Sequence, residues 1–237
     1  MNYIVLENLT LGFKKPCVLD LKMGTRMYSD FATDSKRRSQ RKKSKKSTSA
    51  KLGVRFCGSQ RFSVSNDSFE MFDKYVGRQA DESELRRLLK KFFTHGRFLQ
   101  KEVIDNVLRE IREIKKSLLD LEGYRLYSSS ILIIYEGLLP DKHYRPDVYS
   151  DTENSIDSEL FEEEVFHTEE VDSPNATNTG PLNFVVKMKI IDFANVSFPN
   201  SDTDHILHEG PDRGFIMGLD NLYEILESLL DEETFNY

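Results

Sequence analysis

Short stretches of alternating apolar and polar residues fill the first third of the chain, which is the pattern of strands with one buried face. They predict strands at Tyr3–Leu9, Pro16–Gly24 and Leu52–Val64, and a strand followed by a turn at Phe69–Gln79. Residues 31–49 are polar and basic, and a helix is plausible there although serines weaken the pattern.

Helical spacing of apolar residues follows in the middle of the chain. Asp81 and Glu82 open a predicted helix, and Gly96 is its expected stop. A second helix is predicted over Glu102–Glu122, where apolar residues recur every three or four positions. A third amphipathic helix is expected within Gly210–Leu230 near the end of the chain.

The last strands surround an acidic region. Tyr124–Gly137 reads as a strand led in by three serines, and Leu182–Val196 reads as one long strand or a pair. Residues 145–182 are acidic and polar, so we expect a mobile insertion there. This mixed order of strands and helices predicts the α+β class.

Charge is distributed unevenly over the 237 residues. The formal net charge of −7 hides a basic run, Lys36–Lys46, and an acidic run, Asp151–Asp172. Two cysteines suggest no disulfide framework and fit a reducing compartment. No stretch of about 18 apolar residues occurs and the first residues do not resemble a signal peptide, so a cytoplasmic or nuclear protein without a membrane span is expected.

Three acidic and basic positions are candidates for phosphate chemistry. Asp20 and Lys22 are two residues apart, so on a strand they share one face. Lys22 could clamp a phosphate and Asp20 could bond a ribose, or the two could form a surface ion pair of little value. Asp192 ends the apolar run "MKII" and could bind a magnesium that holds ATP phosphates, or merely cap a turn.

Hydroxyl and basic groups offer further candidates. Ser128–Ser130 could present hydroxyls to a polar ligand or cap a strand end. The basic run could be a solvated face, a nucleic-acid or nuclear-localisation patch, or part of a site for a highly phosphorylated ligand. Lys36–Lys46 contains no aromatic residue, which argues against a platform for stacking single-stranded bases.

Together these residues resemble the inositol polyphosphate kinase family. Pro16-x-x-x-Asp20-x-Lys22-x-Gly24 is similar to its PxxxDxKxG signature, and Ser128–Leu132 to its SSLL element. "IDFA" resembles its metal-binding IDF motif, and Gly210–Leu222 its C-terminal signature. "STSAKLGVRFCGSQ" points more narrowly to the inositol hexakisphosphate kinase branch, and the likeness covers nearly all of the chain except the acidic insertion.

The resemblance implies a protein-kinase-related fold with ATP between two lobes. On this basis residues 1–10 are expected to be the last strand of the N-lobe and the hinge, with most of the N-lobe missing. Residues 11–237 are then the C-lobe with the inositol-phosphate site, and residues 145–182 are an insertion within it.

The resemblance also implies roles for individual residues. ATP is expected to contact Glu7 and Leu9 at the hinge, Asp20 at the ribose or reaction centre, and Asp192 through magnesium. Lys22 is expected to grip both the substrate and the transferring phosphate. Asn195 stands near the substrate, where family members commonly carry a histidine. The remaining expected substrate contacts are Lys43, with Lys42 and Lys46 as weaker candidates, Ser128 and Ser129.

The implied activity is ATP- and Mg²⁺-dependent phosphorylation of inositol hexakisphosphate to diphosphoinositol pentakisphosphate. One alternative is a kinase for ring hydroxyls of less phosphorylated inositols, and another is a truncated, non-catalytic inositol-phosphate binder. Binding of nucleic acid is not expected because it rests on the basic run alone. A monomer is expected.

Overall fold

The computed structural model describes Tyr3 and residues 5–138, 186–199 and 206–234. All of these belong to one unit of the chain, formed by Met1–Leu139 with Phe184–Tyr237. The predicted acidic insertion at 145–182 lies outside the described residues. No helix in the described ranges is long and apolar enough to cross a membrane.

A five-stranded antiparallel sheet forms the framework, with the strand order β3-β2-β1-β7-β8. Its strands are β1 (Pro16–Met23), β2 (Val54–Ser63), β3 (Ser68–Phe72), β7 (Ser130–Glu136) and β8 (Val186–Ile191). Two small two-stranded sheets pair β4 (Thr94–His95) with β5 (Phe98–Leu99), and β6 (Arg125–Leu126) with β9 (Val196–Ser197).

The helices lie between these strands in the sequence. They are α1 (Asp34–Lys45), α2 (Ser49–Leu52), α3 (Lys74–Gln79), α4 (Glu82–Phe92), α5 (Lys101–Leu119) and α6 (Arg213–Thr234), with a 3-10 turn at Val64–Asn66. The mixed α+β class predicted from the sequence is confirmed.

The central strand β1 separates the core from an open face. Cys17, Leu19, Leu21 and Met23 are fully buried, and they join a core completed by apolar side chains of α4, α5 and α6. Burying each such large apolar side chain stabilises the fold by roughly 1.5–3 kcal/mol. The alternate residues of β1 therefore point away from the core, where they are only partly buried.

Three predictions of local structure were wrong. The apolar run at Tyr3–Leu9 forms no strand in its described residues: Val5 and Leu6 are 93% and 81% exposed, and a turn begins at Leu9. No neighbouring strand pairs with this run within the described part of the chain, so its apolar character alone does not make it extended sheet.

The other two errors concern how helices begin and end. Residues 74–79 form α3 instead of a turn, because Asp73 accepts hydrogen bonds from the free amides of Tyr75 and Val76 at 2.9 and 3.4 Å. Helix α4 ends at Phe92, and Gly96 does not stop it. Gly96 lies between β4 and β5 with a φ of 56°, where a glycine permits the tight connection.

Candidate functional site

The open face of β1 carries the predicted pair Asp20 and Lys22. Both side chains are partly buried on the face opposite Leu19 and Leu21. Asp20 lies opposite Gly58 of β2 and Leu132 of β7. The predicted alternation is confirmed, and it places a carboxylate and an ammonium side by side above the sheet.

Lys22 reaches across two strands to Asp192. Lys22 pairs with Ser130 of β7, and Ser130 pairs with Ile191 of β8, so Asp192 follows directly at the end of the outer strand. Lys22 Nζ lies 3.2 Å from Asp192 Oδ2. The Asp192 side chain is 59% exposed, so an ion pair there is worth only about 0–1 kcal/mol. Asp192 can therefore exchange its partner at little cost when a ligand arrives. The Lys22 side chain is only 18% exposed, so its charge favours another anion in place of Asp192.

Asp192 is exposed although it directly follows an apolar strand. Its side chain lies mostly in solvent. Its backbone has a φ of 67°, which non-glycine residues seldom adopt. Ser129 Oγ donates a 2.9 Å hydrogen bond to the Asp192 carbonyl and holds this conformation.

One carboxylate oxygen of Asp20 has no hydrogen-bond donor in the described part of the chain. Its Oδ1 atom is buried and accepts no hydrogen bond from the described residues. Burial raises the pKa of the Asp20 carboxyl, while the nearby Ser130 hydroxyl and the ammonium of Lys22 act in the opposite direction. A buried acceptor without a donor is unfavourable, so Asp20 is suited to a ligand that brings a hydroxyl or a cation.

A cleft of about 910 Å³ opens above this face of the sheet. Asp20 and Val18 of β1 form part of its floor, and Phe72 and Val76 form part of an apolar wall. A pocket of this size, with apolar walls and few polar groups, is typical of sites for small organic ligands. Asp20 therefore lines a cleft large enough to hold such a ligand.

The predicted hinge residues, Glu7 and Leu9, shortly precede Thr10, which lines this cleft. Glu7 is exposed, and Leu9 begins a turn in which Leu11 N donates to Asn8 O at 3.1 Å. This turn brings Thr10 to the lining of the cleft. The adenine contacts of Glu7 and Leu9 stay a prediction.

The predicted lysines lie on or beside α1. Lys42 and Lys43 are exposed in its last turn and Lys46 is its C-cap. Within the described ranges, none of the three forms an ion pair or hydrogen bond with Asp20, Lys22 or Asp192. They present free ammonium groups, and their contact with a substrate stays a prediction.

The serine segment has a structural task that the sequence did not reveal. Ser129 has no exposed surface, and its hydroxyl donates to the Asp192 carbonyl. It therefore positions Asp192 instead of facing a ligand. Ser128 has a φ of 56°, and its hydroxyl accepts a 3.1 Å hydrogen bond from the Asn195 side-chain amide. The buried Ser129 hydroxyl therefore has no surface for the predicted substrate contact.

Arg55 is a candidate that sequence reasoning missed. It lies directly opposite Lys22 in the β1–β2 pair and is partly buried. Its guanidinium has no hydrogen bond or ion pair with the described residues, and burial lowers its pKa. Strand alternation in "GVRFCG" places Arg55 away from the core, but only the register of the sheet sets it beside Lys22.

The carboxylates are consistent with a magnesium shared with a nucleotide. The described residues contain no group of three or more His, Cys, Asp or Glu that could enclose a metal. Magnesium bound with phosphates commonly takes only one or two protein carboxylates. The exposed Asp192 and the unsatisfied Asp20, on either side of Lys22, are suited to that kind of ligand set.

The fold is shared with solved inositol phosphate multikinases. The Ipk2 multikinase of S. cerevisiae, solved with ADP and Mn²⁺, superposes with a TM-score of 0.65, covering 94% of this chain and 82% of that chain at 22% identity. A second inositol phosphate multikinase gives a TM-score of 0.68, covering 95% and 85% of the two chains at 21% identity.

Curated relatives are more similar in sequence. Human inositol hexakisphosphate kinase 2 is 37% identical over 97% of this chain, and the human kinase 1 is 35% identical over 97%. The mouse kinase 3 is 36% identical over 98%. The chain spans about half the length of these relatives, between 52% and 53%. Residues 3–227 match the inositol polyphosphate kinase family, and the chain therefore belongs to it.

Proposed function

We propose that the protein transfers the γ-phosphoryl group of ATP to a phosphate of inositol hexakisphosphate, forming diphosphoinositol pentakisphosphate. The observation that carries this proposal is the group formed by Asp20, Lys22 and Asp192, in which Lys22 Nζ lies 3.2 Å from Asp192 Oδ2 beside the cleft. The curated relatives named as inositol hexakisphosphate kinases support this choice of substrate.

Each residue has a task that follows from its setting. The unsatisfied Oδ1 of Asp20 accepts a ribose hydroxyl of ATP in the cleft. Lys22 exchanges its ion pair with Asp192 for one with the transferring phosphoryl group. Asp192, with Asp20 nearby, would hold Mg²⁺, which supplies neutralisation of phosphate charge when it is bound. The multikinase Ipk2 of S. cerevisiae was solved with ADP and a divalent metal, which supports the need for such an ion.

A phosphate nucleophile suits the groups available. Phosphate oxygens of inositol hexakisphosphate are already deprotonated near neutral pH, so transfer needs positioning and charge neutralisation but no strong base. Asn195 carries an amide, which cannot act as a base near neutral pH, and it donates to Ser128. A kinase acting on ring hydroxyls would depend more on a base.

The test is product formation by the purified protein. Incubated with ATP, Mg²⁺ and inositol hexakisphosphate, it should yield a more anionic product on anion-exchange separation, with a diphosphate bond visible by ³¹P NMR. Asp192→Asn should lower the rate by about a hundredfold or more. Asp105→Asn makes the same chemical change at an exposed position of α5 and should leave the rate unchanged.

Two results would contradict the proposal. A new phosphate monoester made from a less phosphorylated inositol, with no turnover of the hexakisphosphate, would establish the hydroxyl-directed kinase. Tight binding of inositol hexakisphosphate without any product would establish a non-catalytic binder.

A further inference from the structure

Helix α1 lacks the feature that normally holds a helix against a protein. Its 12 residues, "DSKRRSQRKKSK", contain no apolar side chain, and its only buried residue is Ser44. Seven of them are Lys or Arg against a single Asp, and pairs such as Arg37–Arg41 and Arg38–Lys42 put like charges one turn apart. Hydrophobic packing cannot hold α1, so polar contacts must do so.

Those contacts lead to the loop between β1 and α1. Arg37 Nε donates to Ala32 O at 2.8 Å, and its Nη2 donates to Asp30 O. Arg41 Nε donates to Tyr28 Oη at 2.8 Å. Two of the seven cations are thus used to attach the helix, which leaves the exposed lysines, among them Lys43, free for a ligand.

The loop is itself fixed around the buried carboxylate of Asp30. The Asp30 side chain is 4% exposed and both of its oxygens are paired. Oδ1 accepts from Arg26 Nη2, and Oδ2 lies 2.7 Å from His208 Nε2. Burial raises the pKa of Asp30, but hydrogen bonds from His208 and Arg26 outweigh it, so the pKa lies below its usual range.

Aromatic rings hold Arg26 in turn. Its guanidinium lies 4.6 Å from the ring centroid of Tyr28 and 4.1 Å from that of Tyr127. Arg26 also donates to Tyr127 Oη and to Tyr28 O, both at 3.0 Å. We call Arg26, Tyr28, Asp30, Tyr127 and His208 the Asp30 cluster.

Two members of the Asp30 cluster are close in sequence to residues of the candidate site. Arg26 follows Lys22 by four residues, and Tyr127 precedes the serines that hold Asp192. Hydrogen bonds within the cluster therefore link the segments next to Lys22 and next to these serines with the contacts of Arg37 and Arg41. A 3.4 Å hydrogen bond from Ser44 Oγ to Thr25 O attaches the same side of α1.

We propose that Asp30 is a positioning residue, which holds the lysine-bearing helix α1 in place for an inositol phosphate through the Asp30 cluster. This inference rests on the proposed function for the identity of the ligand. Loss of the Asp30 charge removes the partner of Arg26 and His208, the loop loosens, and the repulsion within α1 is no longer opposed.

Hydrogen–deuterium exchange tests the attachment without any ligand. In Asp30→Asn, the amides of α1 should exchange at least about tenfold faster than in the wild type, while those of α5 and α6 stay protected. Asp105→Asn is the matched control and should change neither. Tyr28→Phe keeps the ring beside Arg26 but removes the acceptor for Arg41, so it should give a smaller change confined to α1.

Calorimetric titration with inositol hexakisphosphate tests the link to binding. Asp30→Asn should raise the Kd by about tenfold, and Tyr28→Phe should raise it less. Unchanged exchange in α1, or faster exchange throughout the protein, would overturn the positioning role. Faster exchange in α1 with an unchanged Kd would overturn it as well.

Different results would contradict the proposed function and the positioning role of Asp30. A wild-type protein that binds no inositol hexakisphosphate would contradict the proposed function and with it the ligand assigned to α1. Selective loosening of α1 in Asp30→Asn would still support the attachment in that case.

Discussion

At the scale of single residues, Asp20 lowers the stability of the free protein and is suited to binding a ligand. Its carboxyl is partly buried, its Oδ1 has no donor within the described ranges, and burial raises its pKa. An ionised carboxylate in this setting destabilises the free protein, since it lacks the hydrogen bonds that water would give it. A ligand that donates to Asp20 removes this penalty.

Asp20→Asn should therefore stabilise the free protein in a pH-dependent way. The pKa of Asp20 in the folded protein lies above its ordinary value of 3.8. The stabilising contribution of the protonated carboxyl is fully present below the ordinary pKa and is lost as the pH rises through the raised pKa. The advantage of Asp20→Asn should grow between about pH 4.5 and pH 7. Urea denaturation at both pH values measures it.

Asp105→Asn is the control for this pH dependence. It makes the same chemical change at an exposed position of α5, and it should not give the stability gain expected of Asp20→Asn. An Asp20→Asn protein that is no more stable than the wild type at neutral pH would contradict the interpretation of Asp20. The same variant should bind ATP more weakly, which separates stability from function.

The residue types at the site were predictable, but their neighbours were not. Asp20 and Lys22 share a face because strand periodicity requires it, and Asp192 follows an apolar run visible in the sequence. Arg55 meets Lys22 only because β2 pairs with β1 in one particular register, interrupted between Asp20 and Leu21. Register depends on long-range packing, which no short motif records.

At the scale of elements, α6 packs closely against Gly53, the residue that ends α2. A Cβ on Gly218 of α6 would lie 2.1 Å from Gly53 O, and Gly53 has a φ of 64°. Asp212 begins the helix by accepting from Phe215 N at 3.0 Å, and it also accepts from Leu126 N at 2.8 Å. The segment Gly210–Leu222 thus fixes how α6 packs on the sheet.

Gly218→Ala should destabilise the protein by about 1–3 kcal/mol or more, because the contacting atom is backbone and cannot rotate away. Thermal unfolding should show a Tm lower by roughly 5 °C or more. Met217→Ala, at the adjacent partly exposed position of α6, should cost much less. Equal Tm values for the two variants would show that α6 can shift to accept the extra methyl group.

Elements with strong local signals were predicted well. Helices α5 and α6 follow apolar periodicity, and α4 begins at the expected cap, Asp81. The helix α1 was foreseen only as plausible, because its attachment through Arg37 and Arg41 depends on tertiary contacts. The run at Tyr3–Leu9 was predicted as a strand from its apolar residues alone. It does not form one because no described residue packs on Val5 and Leu6.

At the scale of the whole molecule, the sheet is continuous across the acidic region of the sequence. β7 and β8 are adjacent antiparallel strands, with Tyr135 opposite Val186 and Ser130 opposite Ile191. Adjacent antiparallel strands can be joined by a short connection, so this pairing does not require the 49 positions that separate Glu136 from Val186.

Deleting residues 150–178 should therefore leave the fold intact. The remaining residues are ample for the connection from β7 to β8, and the closing entropy changes only slowly with loop length. Thermal unfolding should show a Tm within about 2 °C of the full chain. A loss of stability much beyond that would mean that the deleted residues contribute to the core.

The packing of α6 bears on how relatives of this chain are recognised. Asp212, Gly214 and Gly218 lie in the segment that resembles the C-terminal signature of the family, yet the neighbours given for them belong to the fold itself. They are backbone atoms and the side chains of Met23, Thr25 and Asp212. These contacts preserve the packing of α6 whether or not the protein performs chemistry. A variant of this chain that lacked Asp192 would keep the whole segment, so the segment is evidence for the fold, and the proposed activity has to be tested at Asp20, Lys22 and Asp192.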